Sequence, residues 1–143
     1  MEETKKTIKT KKVDYLYAVG RRKSAIARVR LYLTEKGEIE VNGKRIEEYF
    51  PGALNKSLYL EPLRTCNVIG KYKINIVVDG SGKASQLEAV IHGLSRCLVK
   101  IDEERFRPIL KKRGFLTRDP RSRERRNVGM GGKSRRKRQS PRR

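Results

Sequence analysis

Residues 25–33, Ala-Ile-Ala-Arg-Val-Arg-Leu-Tyr-Leu, alternate without a break. Ala25, Ala27, Val29, Leu31 and Leu33 fall on one side, Ile26, Arg28, Arg30 and Tyr32 on the other. A period of two is the mark of a strand with one buried face, and here the second face carries arginines. Upstream, Tyr15–Val19 is also β-prone, and Gly20-Arg21-Arg22-Lys23-Ser24 interrupts the two segments. Downstream, Glu35-Lys36-Gly37 predicts a turn and Glu38–Val41 a short strand. Asn42-Gly43 is a strong hairpin signal because both residues tolerate positive φ, so Lys44–Ile46 returns along that strand.

The pattern changes after Glu47. From there to about Leu63 a short helix, a break at Pro51-Gly52 and a second helix ending near Pro62 are expected. Lys71–Asp79 alternates again, with Tyr72, Ile74, Ile76 and Val78 inward. Gly80-Ser81-Gly82 makes a tight connection. From about Ala84 the residues Leu87, Val90, Ile91, Leu94, Leu98 and Ile101 form one apolar stripe at helical spacing, with Cys97 beside it. A last helix, about Glu103–Lys112, turns Phe106, Ile109 and Leu110 inward, and Pro108 inside it predicts a kink or a short helix. Strands followed by helix, strand and helix give an α/β two-layer sandwich, with the face bearing Arg28 and Arg30 left open to solvent or a ligand.

Charge divides the chain into three parts. Residues 1–12 carry five lysines against two glutamates, net +3, and form a basic extension. Residues 13–112, net +7, hold nearly all the periodic apolar segments and form the globular domain. Residues 113–143 carry thirteen Lys/Arg against two acids, net +11, with only Phe115, Leu116, Val128 and Met130 to seed a core. Such an arm cannot bury enough surface to offset the entropy of ordering its backbone, so it needs a polyanion to organise it. A chain of 143 residues with net charge +21 therefore reads as a nucleic-acid binder. In the arm arginine outnumbers lysine eleven to two. Guanidinium groups fork onto phosphates and stack on bases, which suits folded RNA.

Cys66, Cys97 and the single histidine, His92, supply no zinc set, and no other metal or cofactor is expected. No stretch has the length of a membrane helix or the core of a signal peptide, which points to a cytoplasmic protein with no membrane and no small-molecule substrate. Gly80-Ser81-Gly82-Lys83 invites a phosphate-loop reading, but Val77 stands where such a loop needs glycine and Ala84 where it needs Ser or Thr. A glycine turn opening a helix is the plainer reading. His92 has no partners for a triad, and Glu47-Glu48 and Glu103-Glu104 are adjacent pairs that diverge on a helix, so no catalytic constellation is found. The run Arg21-Arg22-Lys23 could be a solvated loop; with Arg28 and Arg30 beside it, it reads instead as an RNA contact.

Several segments in order resemble one family. They are YAVGRRKSAIARVRL at 17–31, VNGKRIEEYFP at 41–51, EPLR at 61–64, GSGKASQLEAVIHGLSRCL at 80–98, GFLTRDPR at 114–121 and ERR at 124–126. Together they resemble the ninth protein of the small ribosomal subunit, in its bacterial form. The resemblance implies a sandwich like the second domain of the fifth small-subunit protein, with a left-handed βαβ crossover against the usual hand. It implies binding to the 3′ major domain of small-subunit rRNA in the head, beside neighbouring head proteins. It also implies a C-terminal tail threading through rRNA toward the anticodon stem-loop of the P-site tRNA.

By position, the resemblance assigns Arg21, Arg22, Lys23, Arg28, Arg118, Arg121, Arg125 and Arg126 to rRNA. The charge pattern adds Arg30, Lys111, Lys112, Arg113, Arg123, Lys133, Arg135, Arg136, Lys137 and Arg138. Arg142 and Arg143 would be the tRNA-proximal end. The chain ends RKRQSPRR, without the aromatic residue common near the end of bacterial members. Two rivals remain: a non-catalytic protein subunit of an RNA-processing complex, and a DNA-binding architectural protein. Cleavage assays on precursor RNA and competition with duplex DNA discriminate them.

Overall fold

A computed structural model of the chain describes residues 15–125. The alternating stretch is strand β2, Ala25–Tyr32, and Ala25, Ala27, Val29 and Leu31 are completely buried. Leu33 falls outside the strand and is exposed, against its expected inward position. β1, Tyr15–Arg22, pairs antiparallel with β2 on one side, and β5, Lys73–Asp79, pairs antiparallel on the other. The basic run does not interrupt the strands as expected. Gly20, Arg21 and Arg22 belong to β1, and only Lys23-Ser24 turns, with Lys23 at φ 51°. The charge is tolerated because Arg21 and Arg22 point to opposite faces, where Arg22 finds carboxylates.

β3, Ile39–Val41, runs parallel to β5 and turns through Asn42 (φ 50°) and Gly43 (φ 76°) into β4, Lys44–Arg45. The Asn42 amide locks the hairpin to the end of β5: its Oδ1 accepts from Val78 N at 2.9 Å and its Nδ2 donates to Val78 O at 3.0 Å. The sheet order is β1-β2-β5-β3-β4. Two helices cross from β4 to β5: α1, Ile46–Tyr49, and α2, Ala53–Thr65, separated at Pro51-Gly52. Pro62 does not end α2, which continues to Thr65. The missing N–H costs one bond in the last turns, while the Pro62 ring is buried with Tyr59 and Leu63.

α3, Lys83–Ile101, lies on the inward face of the sheet against β1, β2 and β5, and α2 and α4 pack against it. Leu87, Val90, Leu94 and Leu98 are buried as the stripe requires, each stabilising by roughly 1.5–3 kcal/mol. Ile91 and Ile101 are only half-buried, and Ala89, Gly93 and Cys97 take the closest positions instead. A stripe of small residues lets the helix sit close to β1. α4, Glu103–Lys112, is capped by Asp102, whose Oδ1 accepts from Arg105 N at 3.0 Å. Phe106 and Leu110 point inward, but Ile109 is exposed, because so short a helix buries one i, i+4 line. Pro108 lies within α4 without ending it.

Candidate nucleic-acid interface

Register turns the alternation into a surface. On the face away from the helices, Tyr17, Arg30 and Asn75 form one cross-strand row, and Val19, Arg28 and Val77 the next. Arg28 and Arg30 are exposed there, as are Arg21 and Lys23 at the end of the β1–β2 hairpin. None of these four cations forms an ion pair with another described residue. Four unneutralised cations on one side of a hairpin leave a positive potential that phosphates would lower.

Arg22 is different. It lies on the helix side of β1 and is 9% exposed. Its Nε contacts Glu88 Oε2 at 2.5 Å, its Nη2 contacts Asp119 Oδ2 at 3.0 Å, and its Nη1 donates to the Arg121 carbonyl at 2.9 Å. The whole guanidinium fork is thus occupied within the protein, so Arg22 is not available to rRNA in this conformation. It fastens the segment Asp119–Arg121 to β1 and α3. Asp119 also accepts from Arg121 N at 2.9 Å and from its guanidinium, and this pairing holds the Asp119 carboxyl far below the usual range.

The start of the arm is docked by other groups as well. Gly114, at φ 77°, turns the chain after α4, Phe115 N donates to Leu110 O at 3.1 Å, and Phe115 and Leu116 are half-buried against the core. His92 Nδ1 accepts from Arg21 N at 3.3 Å, and the Leu116 backbone lies beside the ring. Burial pushes the imidazole pKa down, with Arg96 and Arg118 nearby adding to the effect.

Sequence reading missed the pattern to which His92 belongs. His92, Arg96 and Lys100 are spaced four apart on α3 and reach three alternate residues of the edge strand. His92 accepts from Arg21 N, Arg96 donates to Val19 O at 2.5 Å, and Lys100 donates to Tyr17 O at 2.7 Å. Four helical residues rise about 6 Å and two strand residues about 6.6 Å, so the two spacings stay in step. These side chains occupy backbone groups that would otherwise invite another strand. The i, i+4 spacing of polar residues was visible in the sequence; the strand they would meet was not.

The remaining assignments divide by place. Lys111, Lys112, Arg113, Arg118, Arg121, Arg123 and Arg125 are exposed; Arg113 pairs with Glu61 at 3.1 Å and Arg121 with Asp119. Arg126, Lys133, Arg135, Arg136, Lys137, Arg138, Arg142 and Arg143 lie outside the described residues. At the glycine turn, Lys83 Nζ sits 3.3 Å from the Tyr49 ring centroid, which directs its charge onto an aromatic face. Among the described residues no group of three His, Cys, Asp or Glu side chains could hold a metal ion, and no helix is long and apolar enough to cross a membrane.

Comparison with known proteins covers both the domain and the arm. The family model described as ribosomal protein S9/S16 matches residues 20–143. A protein of Maridesulfovibrio salexigens named small ribosomal subunit protein uS9 is 48% identical over 119 residues, covering 83% of this chain and 90% of the relative. Relatives of the same name are 44% identical in Lawsonia intracellularis, over 82% of this chain and 88% of the relative, and in Anaeromyxobacter sp., over 80% and 86%.

Proposed function

The chain belongs to the ribosomal protein S9/S16 family, and from that premise we propose that it is a structural constituent of the small ribosomal subunit, located on cytoplasmic ribosomes. It binds small-subunit rRNA and carries out no chemistry of its own. The observation that carries the reading is the set of exposed cations, Arg21, Lys23, Arg28 and Arg30, unpaired among the described residues, on a chain matched to the family through to its last residue. Phosphates are the ligand that such a surface, net +21 over the whole chain, lacks.

The finer reading follows from the resemblance. The domain, residues 13–112, is a sandwich whose β3–β5 crossover is left-handed. It sits on the 3′ major domain of the rRNA in the head, beside other head proteins. Residues 1–12 form a separate basic extension. The arm, residues 113–143, follows rRNA through Lys111, Lys112, Arg113, Arg118, Arg121, Arg123, Arg125, Arg126, Lys133, Arg135, Arg136, Lys137 and Arg138, and Arg142 and Arg143 approach the P-site tRNA anticodon stem-loop. Arg22 leaves the set of rRNA contacts and becomes the latch that aims the arm.

Sedimentation of endogenous protein through sucrose gradients at low and high salt tests the role. Stoichiometric co-migration with small subunits, persisting at salt that strips loose factors, is expected. Protein remaining at the top of the gradient would refute it. For the arm, neutralising about ten phosphates of single-stranded RNA gives a log–log salt slope near −7. A slope flatter than about −3 would rule out an arm extended along RNA. Removing Arg142-Arg143 should weaken P-site tRNA binding to the subunit while leaving assembly intact.

A further inference from the structure

The open face of the sheet holds more than arginines. Tyr15 pairs with Tyr32 across β1 and β2, their ring centroids 5.8 Å apart, and Tyr17 stands beside Arg30 in the next row. Tyr15 and Tyr17 are 42% and 41% exposed, on a strand whose other face is packed under α3. The Arg30 guanidinium lies 5.7 Å from the Tyr15 ring centroid, so ring and cation form one platform. From the Tyr15 row to the Arg21 row the strand rises roughly 20 Å, room for about three nucleotides of an extended single strand.

Resting on the ribosomal reading, we propose that this face binds unpaired RNA bases by stacking on Tyr15 and Tyr17, while Arg28 and Arg30 hold the adjoining phosphates. Helical RNA offers phosphates but keeps its bases inside, so it would use the arginines and leave the tyrosines idle. A single-stranded loop offers both a charged backbone and open π-faces. A protein partner is less suited, because covering Arg28 and Arg30 without opposing carboxylates would strand two desolvated charges. Among the described residues the strand acids on this face are Glu40 on β3 and Asp79 beside the hairpin end, and Glu35 is already paired with Lys73, next to Tyr32.

The full-length chain tests this with two labelled probes, a short oligouridylate and an RNA duplex of matched phosphate number. Replacing both rings, Tyr15→Leu with Tyr17→Leu, should weaken oligouridylate binding by roughly tenfold or more, with duplex affinity and the salt slope unchanged. Tyr15→Phe with Tyr17→Phe should restore the affinity, which separates stacking from misfolding. Equal weakening toward both probes, or no weakening at all, overturns the proposal. In intact small subunits, ultraviolet crosslinking should join the Tyr17 peptide to an unpaired nucleotide; a crosslink to another protein instead also overturns it. Failure here with co-sedimentation intact removes the stacking surface alone, whereas loss of co-sedimentation removes the ribosomal role.

Discussion

Gly20→Ala places one methyl group where β1 meets α3. A Cβ at Gly20 would lie 1.9 Å from the Ala89 carbonyl oxygen, 2.4 Å from Gly93 N and 2.9 Å from Gly93 Cα. All three are backbone atoms, so no side chain can rotate aside. Ordinary contact begins at 3.4 Å, so strand and helix must part by roughly 1.5 Å. A gap of even 1 Å forfeits up to about half of the dispersion energy along the opened seam, where Ala18, Val90, Leu94 and Cys97 are buried. With the strain of overpacking added, the expected loss is about 3–5 kcal/mol, and roughly 15 °C or more in Tm.

Gly93→Ala is the internal comparison. Its Cβ would meet the Val29 Cγ2 atom at 2.7 Å and the Gly20 backbone N at a milder 3.1 Å, and alanine regains up to about 1 kcal/mol of helix propensity. A smaller loss, about 1–2 kcal/mol, is expected. Urea unfolding of the purified chain, followed by far-UV circular dichroism, measures both. If Gly20→Ala falls within about 1 kcal/mol of the parent, or costs less than Gly93→Ala, the close crossing is wrong. The same substitution should loosen the arm, because Glu88 and His92 ride on the helix that must retreat.

Arg22→Gln removes the latch while leaving Arg21 and Lys23 in place; trypsin should then cut at Arg118 and Arg121 on the order of tenfold faster, and an unchanged rate would count against the latch. His92 has a folded pKa below its ordinary 6.5, so its contribution to stability is complete above pH 6.5 and is lost as pH falls through the lowered value. The urea midpoint should therefore drop just below pH 6.5 in the parent and less steeply in His92→Gln; equal slopes would refute the assignment. Burial pushes the Cys97 thiol up to about 12 and raises that of Cys66, so neither should react with a disulfide reagent near neutral pH until denaturant is added. One fast thiol in the folded protein would contradict this packing.

Local rules carried far where one face of an element is simply wet and the other dry. The alternation over 25–32, the Asn42-Gly43 hairpin and the Leu87, Val90, Leu94 and Leu98 line of α3 appear where the sequence places them. They succeed because period and turn chemistry act within a few residues. Expectations failed where a neighbour distant in sequence changed the local balance. Gly20–Arg22 stays in the strand because α3 provides a close seat for Gly20 and carboxylates for Arg22. Pro62 stays inside α2 where its buried ring adds packing, and Leu33 leaves the face that its alternation suggested.

That this is a basic, mixed α/β chain with a cationic arm, and which residues alternate toward the open face, can be read along the chain alone. Charge, composition and period are sums over neighbours along the chain, so no tertiary contact is needed to read them. Which of the described cations stay unpaired depends on the folded chain. Arg21 and Arg22 are adjacent and chemically identical, yet the pleat sends one to solvent and the other to Glu88 and Asp119, 66 and 97 positions away. The folded chain also decides that His92, Arg96 and Lys100 seal the edge of β1. Pairings of this kind depend on where the chain returns in space, which no window along the sequence contains.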